Sequence, residues 1–481
     1  MAQRMANETA LRRTLSTPKI VFLVVAAAAP MAAMVGTVPL AFAIGGGPAV
    51  PAAFAFAGLT LLCFSVGYAA MSRHIVNTGG FYTYMARGLG RPPAIAGGLV
   101  ALIAYNAATI GLVGAFGYFA ALIGSLHGLT LHWTVWAAIG TALMALLGYR
   151  QIEISARLLA ILMICEVGIL VLLDGAILGD LGGTALPSTS FDPDTFGVAG
   201  IGVALMFAFI SFIGFESAAQ YGEETRNPRR SVPLATYASV VIISVFYTAT
   251  SWIAVGAVGP DQVSAVAGEQ LGELFFGLSF THLGETATTA MQVLLCTSLF
   301  AGVLALHNAA NRYLYVLGRE RVLPGGLGAV HPRHGSPSRA SVVQTLLTVV
   351  VVGAFAVAGL DPYLNLSTSM VGLGTLGIVV LQAMAALSII GFFRRHPERH
   401  WWRTVLAPLL GLAGLVVTIV LLVGNYSLIS GTDSAIVNGL PWLIVAVAAG
   451  GIAYARWMRA ARPQRYAELA AAQTPEGGAR S

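Results

Sequence analysis

The sequence predicts an all-α polytopic membrane protein of twelve transmembrane helices, and three observations lead there. Of 481 residues, 57% are apolar and 10% charged, against roughly 25% charged in an ordinary soluble protein. The few charges are segregated: none lies between Lys19 and Arg73, or between Arg91 and Arg150. The basic residues recur in clusters between long apolar runs. This composition excludes a soluble globular enzyme, a disordered chain and a secreted disulfide scaffold. A β-barrel is excluded because its short strands alternate polar and apolar residues.

The elements follow from the gaps between charges. A span takes about 20 apolar residues, so the two long gaps hold spans 1 to 4. Single spans follow at 158–173, 195–222, 231–260, 286–311, 340–360, 362–393, 404–432 and 434–455. The run from Ile20 is too long for the apolar core of a signal peptide, about 7–15 residues, and reads as span 1. Segment 319–339 is too polar and too broken to span, and 261–284 reads as a short surface helix with a turn. Cys63, Cys165 and Cys296 all fall inside spans, with no metal spacing and no disulfide framework.

Of the 26 basic residues, 25 are arginine. They fall before span 1 and after spans 2, 4, 6, 8, 10 and 12, all on one side. The opposite loops carry Asp180, Asp192, Asp194, Asp261, Glu269, Glu273, Glu285, Asp361 and Asp433. The positive-inside rule then puts both termini in the cytoplasm, with the chain in the cell membrane. Topology accounts for the net charge of +6, so no nucleic-acid partner is implied. Eighteen of the 20 acidic residues are assigned to loops or span ends, leaving Glu166 and Glu216 inside the membrane.

Two spans carry breaks. Span 1, VVAAAAPMAAMVGTVPLAF, contains Pro30, Gly36, Thr37 and Pro39. Proline removes an N–H and constrains the residue before it. Gly36 lies about 24 Å along the span at 1.5 Å per residue, where freed backbone needs protein or ligand partners. Span 6, LMFAFISFIGFESAAQYG, carries Ser211 about 22 Å in, followed by Gly214 and Glu216. Breaks in the first and sixth spans are the mark of a five-plus-five inverted repeat, with half-helix ends offering N–H and C=O groups to substrate and ion. The repeats read as 20–180 and 195–393, followed by two extra helices over 404–458, with tails at 1–19 and 459–481.

An ionisable group in mid-membrane normally faces a cavity or a partner. Glu216 and Glu166 are therefore candidates for proton coupling or gating, against the alternative of a neutral acid joining helices by hydrogen bonds. Tyr105 and Asn106 in span 3, with Thr109 one turn on, are candidates to line a substrate site. His307, Asn308 and Asn311 in span 8 read first as helix-joining polar groups, and Arg312 as a residue reaching the cytoplasmic surface. Ser367, Thr368 and Ser369 are candidate cavity residues in span 10. Glu223 and Glu224 are candidates to pair with inner-loop arginines and hold an inner gate shut, against the equal alternative of a solvated loop. There is no GxxxxGK[ST] loop, no HExxH and no hydrolase-like carboxylate pair. No cofactor or metal is expected, and energy is expected from an ion gradient or exchange.

Three strings carry a family resemblance: SFIGFESAAQYGEETRNPRRSVPLAT from Ser211, NTGGFYTYMARGLGR ending at Arg91, and ALHNAANRYLYVLGRERVLP over 305–324. They resemble, in order and spacing, the motifs of the amino acid–polyamine–organocation transporters, over roughly residues 18–460. The resemblance implies a twelve-helix permease with the inverted repeat. It implies that Gly36, Thr37 and Val38 supply amides to a substrate carboxylate, and that Phe209, Ser211, Ile213 and Gly214 supply carbonyls to its amino group. Ile210 stands where some relatives carry a gating tryptophan. Glu166 lies close to where several proton-coupled relatives carry a lysine that replaces a sodium ion. The expectation is a secondary-active transporter of an amino acid or amine by proton symport, with exchange on the same fold as the alternative and a transporter-like sensor as a less favoured one.

Overall fold

The first span is two helices. In the computed structural model, which describes residues 15–75, 80–150, 156–195, 198–218, 225–394 and 396–469, α1 (Thr17–Ala27) stops and α2 (Pro30–Ile44) starts after a left-handed Ala29 at φ 47°. Pro30 explains the position. It has no N–H to donate back, suits the first position of a helix, and pushes its predecessor out of α geometry. The expected break at Gly36–Pro39 is not there: Gly36, Thr37, Val38 and Pro39 lie inside continuous α2. Pro39 is carried inside the helix; nearby, Tyr363 donates to the Gly36 carbonyl at 3.1 Å and Thr37 to that of Ala32 at 3.1 Å.

The chain continues through α3 (Val50–Ser72), short α4 (Gly80–Gly88), α5 (Arg91–Leu126), α6 (Trp133–Arg150) and α7 (Ala156–Leu181). The sixth span opens with α8 (Val198–Ser211), unwinds, and is followed by α9 (Pro228–Val258). Then come α10 (Val263–Gln270), α11 (Leu274–Leu283), α12 (Glu285–Arg319) and α13 (Ser338–Val357). A wide π turn (Pro362–Ser367) leads into α14 (Thr368–Phe393), and another (Trp401–Leu406) into α15 (Ala407–Gly424). Short α16 (Tyr426–Ser430) and α17 (Ala435–Asn438) precede α18 (Leu440–Ala461) and α19 (Pro463–Glu468).

Among the described residues, 11 helical segments are long and apolar enough to cross a membrane. The twelfth expected span, the fourth in order, corresponds to α6, which is not among these eleven; it is a helix of 18 residues, about 27 Å long at 1.5 Å per residue. Lipid-facing side chains such as Leu172 and Val350 are about two-thirds exposed, at 65% and 66%. No strand occurs among the described residues; one bridge joins Leu15 to Thr225.

Small residues let the central helices approach closely, as packing within a bilayer favours. A Cβ on Gly111 of α5 would lie 2.8 Å from the Val371 nitrogen, and one on Gly374 of α14 2.8 Å from that of Ala108. The 261–284 stretch is more than a surface helix with a turn. α10 and α11 bury Val263, Ala267, Phe275 and Phe276, and Gly272 between them sits against Tyr118 and Phe119. This pair covers the end of α2.

Segment 319–339 does not span; it holds a short 3-10 turn (Gly325–Gly328) and bends. Glu223 and Glu224, the expected inner gate, lie outside the described residues, as do Arg4, Arg12, Arg13, Arg395 and Arg480.

Candidate functional site

The two breaks meet. α8 ends at Ser211, and 212–218 continue as a turn and a short 3-10 stretch with Gly214 at φ 113°. Only glycine adopts that geometry readily. There is also no room for a side chain, since a Cβ on Gly214 would lie 3.0 Å from the Ala27 Cβ and 3.1 Å from its carbonyl oxygen. The end of α1 and the opened turn of the sixth span therefore touch backbone to backbone.

Each break is tied by a buried carboxyl. In the sixth span, Gly214 N–H donates to Glu216 Oε2 at 3.0 Å and Tyr105 donates its hydroxyl to Oε1 at 3.2 Å. Tyr105 is steadied by stacking on Tyr313, centroids 5.5 Å apart, and Tyr68 donates to the Glu216 carbonyl at 3.1 Å. In the first span, Met31 N–H donates to Glu166 Oε2 at 3.4 Å, and Ser298 of α12 donates to the same oxygen at 2.8 Å. Ala32 N–H donates in turn to Ser298 Oγ at 3.3 Å, and Tyr247 to the Ala28 carbonyl at 3.1 Å. A helix start leaves its first N–H groups unpaired, and here Glu166 and Ser298 satisfy those of α2.

Next to the breaks lies a cavity of about 30 Å³, lined by Gly36, Thr37, Ile210, Leu299, Ser367 and Thr368 among others. That is room for water and far below the roughly 300–1,000 Å³ of a small-molecule pocket. Gly36, Thr37 and Ile210 line it as a group with Ser367 and Thr368, whereas Val38 is buried elsewhere along α2. Ser211 turns back to the Phe207 carbonyl at 2.8 Å, Asn106 to Leu102 at 2.8 Å, and Thr109 to Tyr105 at 2.7 Å. Those three side chains are held by their own helices. Phe209 and Ile213 are buried. Thr368 also bonds to its own turn at 2.6 Å, and Ser369 is buried with its carbonyl taken by Tyr426 at 2.7 Å.

His307 bonds Ser341 of α13 at 3.0 Å, and Gln344 donates to Asn311. These groups join α12 to α13, away from the breaks.

Sequence reasoning missed Tyr68, Tyr247, Tyr363 and Ser298, which satisfy the broken backbone. The available signal was tyrosine in an apolar run, because a buried hydroxyl normally finds a partner. It also missed Asp174. The span read as 158–173 stops one residue short; α7 runs to Leu181, placing Asp174 inside the apolar segment Ala160–Ala185. Its carboxylate accepts from Thr250 of α9 at 2.6 Å. Asp174 therefore joins Glu166 and Glu216 as an acidic side chain within a span that bonds to a neighbouring helix.

The family profile described as "Amino acid permease" matches residues 15–449. The chain is 26% identical over 375 residues to a methylthioribose transporter of Bacillus subtilis, covering 74% of this chain and 76% of that protein. It is 24% identical over 405 residues to the chloroplastic cationic amino acid transporter 6 of Arabidopsis thaliana, covering 78% and 65% respectively. It is 25% identical over 412 residues to the low-affinity putrescine importer PlaP of Escherichia coli, covering 81% and 83%. With a profile match along nearly the whole bundle, the chain belongs to the amino acid permease family, within the amino acid–polyamine–organocation superfamily.

Proposed function

We propose that the protein is a secondary-active transporter of amino acids or related amines, driven by proton symport through alternating access. The observation that carries this reading is the pair of touching helix breaks, each with a buried carboxyl on a backbone amide. A substrate carboxylate needs N–H donors, and an ammonium needs carboxylate or carbonyl acceptors. Both kinds of group are concentrated here, inside a chain too apolar for any other purpose than spanning a bilayer.

In this reading Glu166 is the proton carrier. Ionised, it holds the Met31 amide and, with Ser298, closes the start of α2. A proton removes its charge and weakens it as an acceptor, releasing these amides to a substrate carboxylate. Proton and substrate then load together. Glu216, held by Gly214 and Tyr105, faces the substrate amine with the carbonyls of Phe209, Ser211, Ile213 and Gly214. Gly36, Thr37, Ile210, Ser367 and Thr368 bound the side-chain space, while Val38 and Asn106 support the walls. The five-plus-five repeat over 20–180 and 195–393, cytoplasmic termini and residence in the cell membrane belong to the same reading.

Relatives named for putrescine and for cationic amino acids support an amine-bearing substrate. The test is uptake into proteoliposomes, after a thermal-shift screen of amino acids and polyamines has chosen the substrate. Symport requires accumulation under an inward proton gradient into vesicles empty of substrate. Uptake that needs internal substrate and ignores pH identifies an exchanger instead. Binding without any flux would identify a sensor.

A further inference from the structure

A second cavity, about 230 Å³, opens at the arginine-bearing face between the end of α3, α9, the end of α14 and the turn entering α15. Its floor is apolar, with Val66, Ala70 and Phe393. Its rim carries the guanidinium groups of Arg73 and Arg403, both near enough to act electrostatically on the Tyr237 phenol. One acidic residue lines it, Glu398, and His74 engages that carboxylate at 3.2 Å. Burial, with Arg229, Arg73 and His396 nearby, holds His74 below its ordinary value despite Glu398. The His400 ring is turned onto the Trp402 and Arg403 amides at 3.2 and 3.3 Å. Among the described residues, no carboxylate lies within salt-bridge distance of Arg73 or Arg403.

The surroundings are those of a membrane interface. Exposed Trp401 and Trp402 stand in the chain between the lining residues His400 and Arg403, and such aromatic residues are enriched at the headgroup level. From Arg403, the exposed Leu406, Leu409 and Leu410 lead along α15 into the apolar zone. A cationic rim over an apolar floor, between helices and continuous with a lipid-facing leucine track, fits a ligand with an anionic head and a hydrocarbon tail.

We propose that this cavity binds the phosphate headgroup of a net-anionic phospholipid, held by Arg73 and Arg403, with acyl chains along Leu406 and Leu410. The site is separate from the helix breaks and does not depend on the substrate or coupling assigned above.

The test uses the purified full chain in detergent, with dioleoylphosphatidylglycerol, dioleoylphosphatidylcholine and inorganic phosphate as probes. Phosphatidylglycerol is expected to raise the melting temperature by several degrees by mass action, with phosphatidylcholine and inorganic phosphate giving no shift. In the Arg73→Gln/Arg403→Gln double variant, its apparent affinity is expected to weaken by roughly 30-fold. A shift retained in that variant, or none in the unaltered protein, overturns the proposal. An equal shift with inorganic phosphate assigns the site to a soluble anion and overturns the lipid. Native mass spectrometry of the Arg403→Gln single variant gives a second measurement if the double variant folds poorly: fewer bound phosphatidylglycerol molecules support the site, and an unchanged number refutes it.

Discussion

Glu216 has a neutral replacement that keeps its geometry. Glutamine retains one carbonyl oxygen for the Gly214 amide, and its NH2 group replaces the oxygen that accepts from Tyr105, whose hydroxyl can turn to accept instead, while the charge is removed. Glu216→Gln is expected to fold and reach the membrane yet lose at least roughly tenfold in uptake, the factor that about 1.4 kcal/mol represents; normal uptake in this variant would remove Glu216 from the site. Glu166→Gln tests something different. Its amide oxygen still accepts from Met31 and Ser298, but it no longer exchanges a proton. Uptake by this variant is expected to become insensitive to an imposed pH gradient, and an unchanged pH profile would count against Glu166 as the carrier. Gly214→Ala introduces a methyl group 3.0 Å from the Ala27 side chain at a φ of 113°. Strain of this kind costs about 1–3 kcal/mol, so a lower melting temperature and slower transport are expected together.

The elements that matter are those that fail to be regular. α1 and α2 are separated by one left-handed alanine and a proline, and α8 is ended by a turn built around Gly214. Against these stand long uninterrupted helices, among them α5, whose 36 residues run past both breaks. α5 and α14 interlock through glycine, Gly111 against the Val371 backbone and Gly374 against that of Ala108. Gly111→Val forces a bulky group into a gap closed by backbone, which cannot yield as a side chain would. Overpacking of this kind costs about 1–3 kcal/mol. A fluorescence-detected melting curve should show the loss, whereas Gly175→Val, on an α7 position open within 4 Å, should show little change.

For the molecule as a whole, the described conformation is closed around its centre. The cavity beside the breaks holds about 30 Å³, and α10 and α11 cover the end of α2. At the opposite face, the Arg226 amide donates to the Leu15 carbonyl at 3.2 Å, joining the approach to the first span to the segment after the sixth. If the helices carry a substrate through this centre, the α10–α11 cover is the part expected to move. A cysteine pair linking α10 to the turn that follows α2, at Ser264 and Gly47, where the Ser264 Cβ lies 3.7 Å from a Cβ built on Gly47, is expected to stop uptake when oxidised and to restore it on reduction. Uptake unaffected by oxidation, with the crosslink shown to form, would mean that this cover does not move.

Composition and charge spacing by themselves determined the membrane class, the helical architecture, the order of the spans and the two that are interrupted, because the hydrocarbon core imposes length and apolarity on every crossing segment. They also singled out Glu166 and Glu216, since a carboxyl in an apolar run has few roles. What the chain folds into decided the rest. Pro30, not Pro39, breaks the first span: the chain turns left-handed at Ala29 before Pro30 and runs as one helix through Pro39, and Tyr363 reaches the Gly36 carbonyl from a distant span. Asp174 lies inside the membrane because α7 extends past it to meet Thr250. Asn106 and Ser211, polar and well placed in sequence, turn back to their own helices, while Ser298 and Tyr247 arrive from distant spans to complete the first break. Apolarity is a property of a segment and can be read along the chain; the partner of a freed amide or a buried carboxyl is set by which helices pack together, and that is known only when they have.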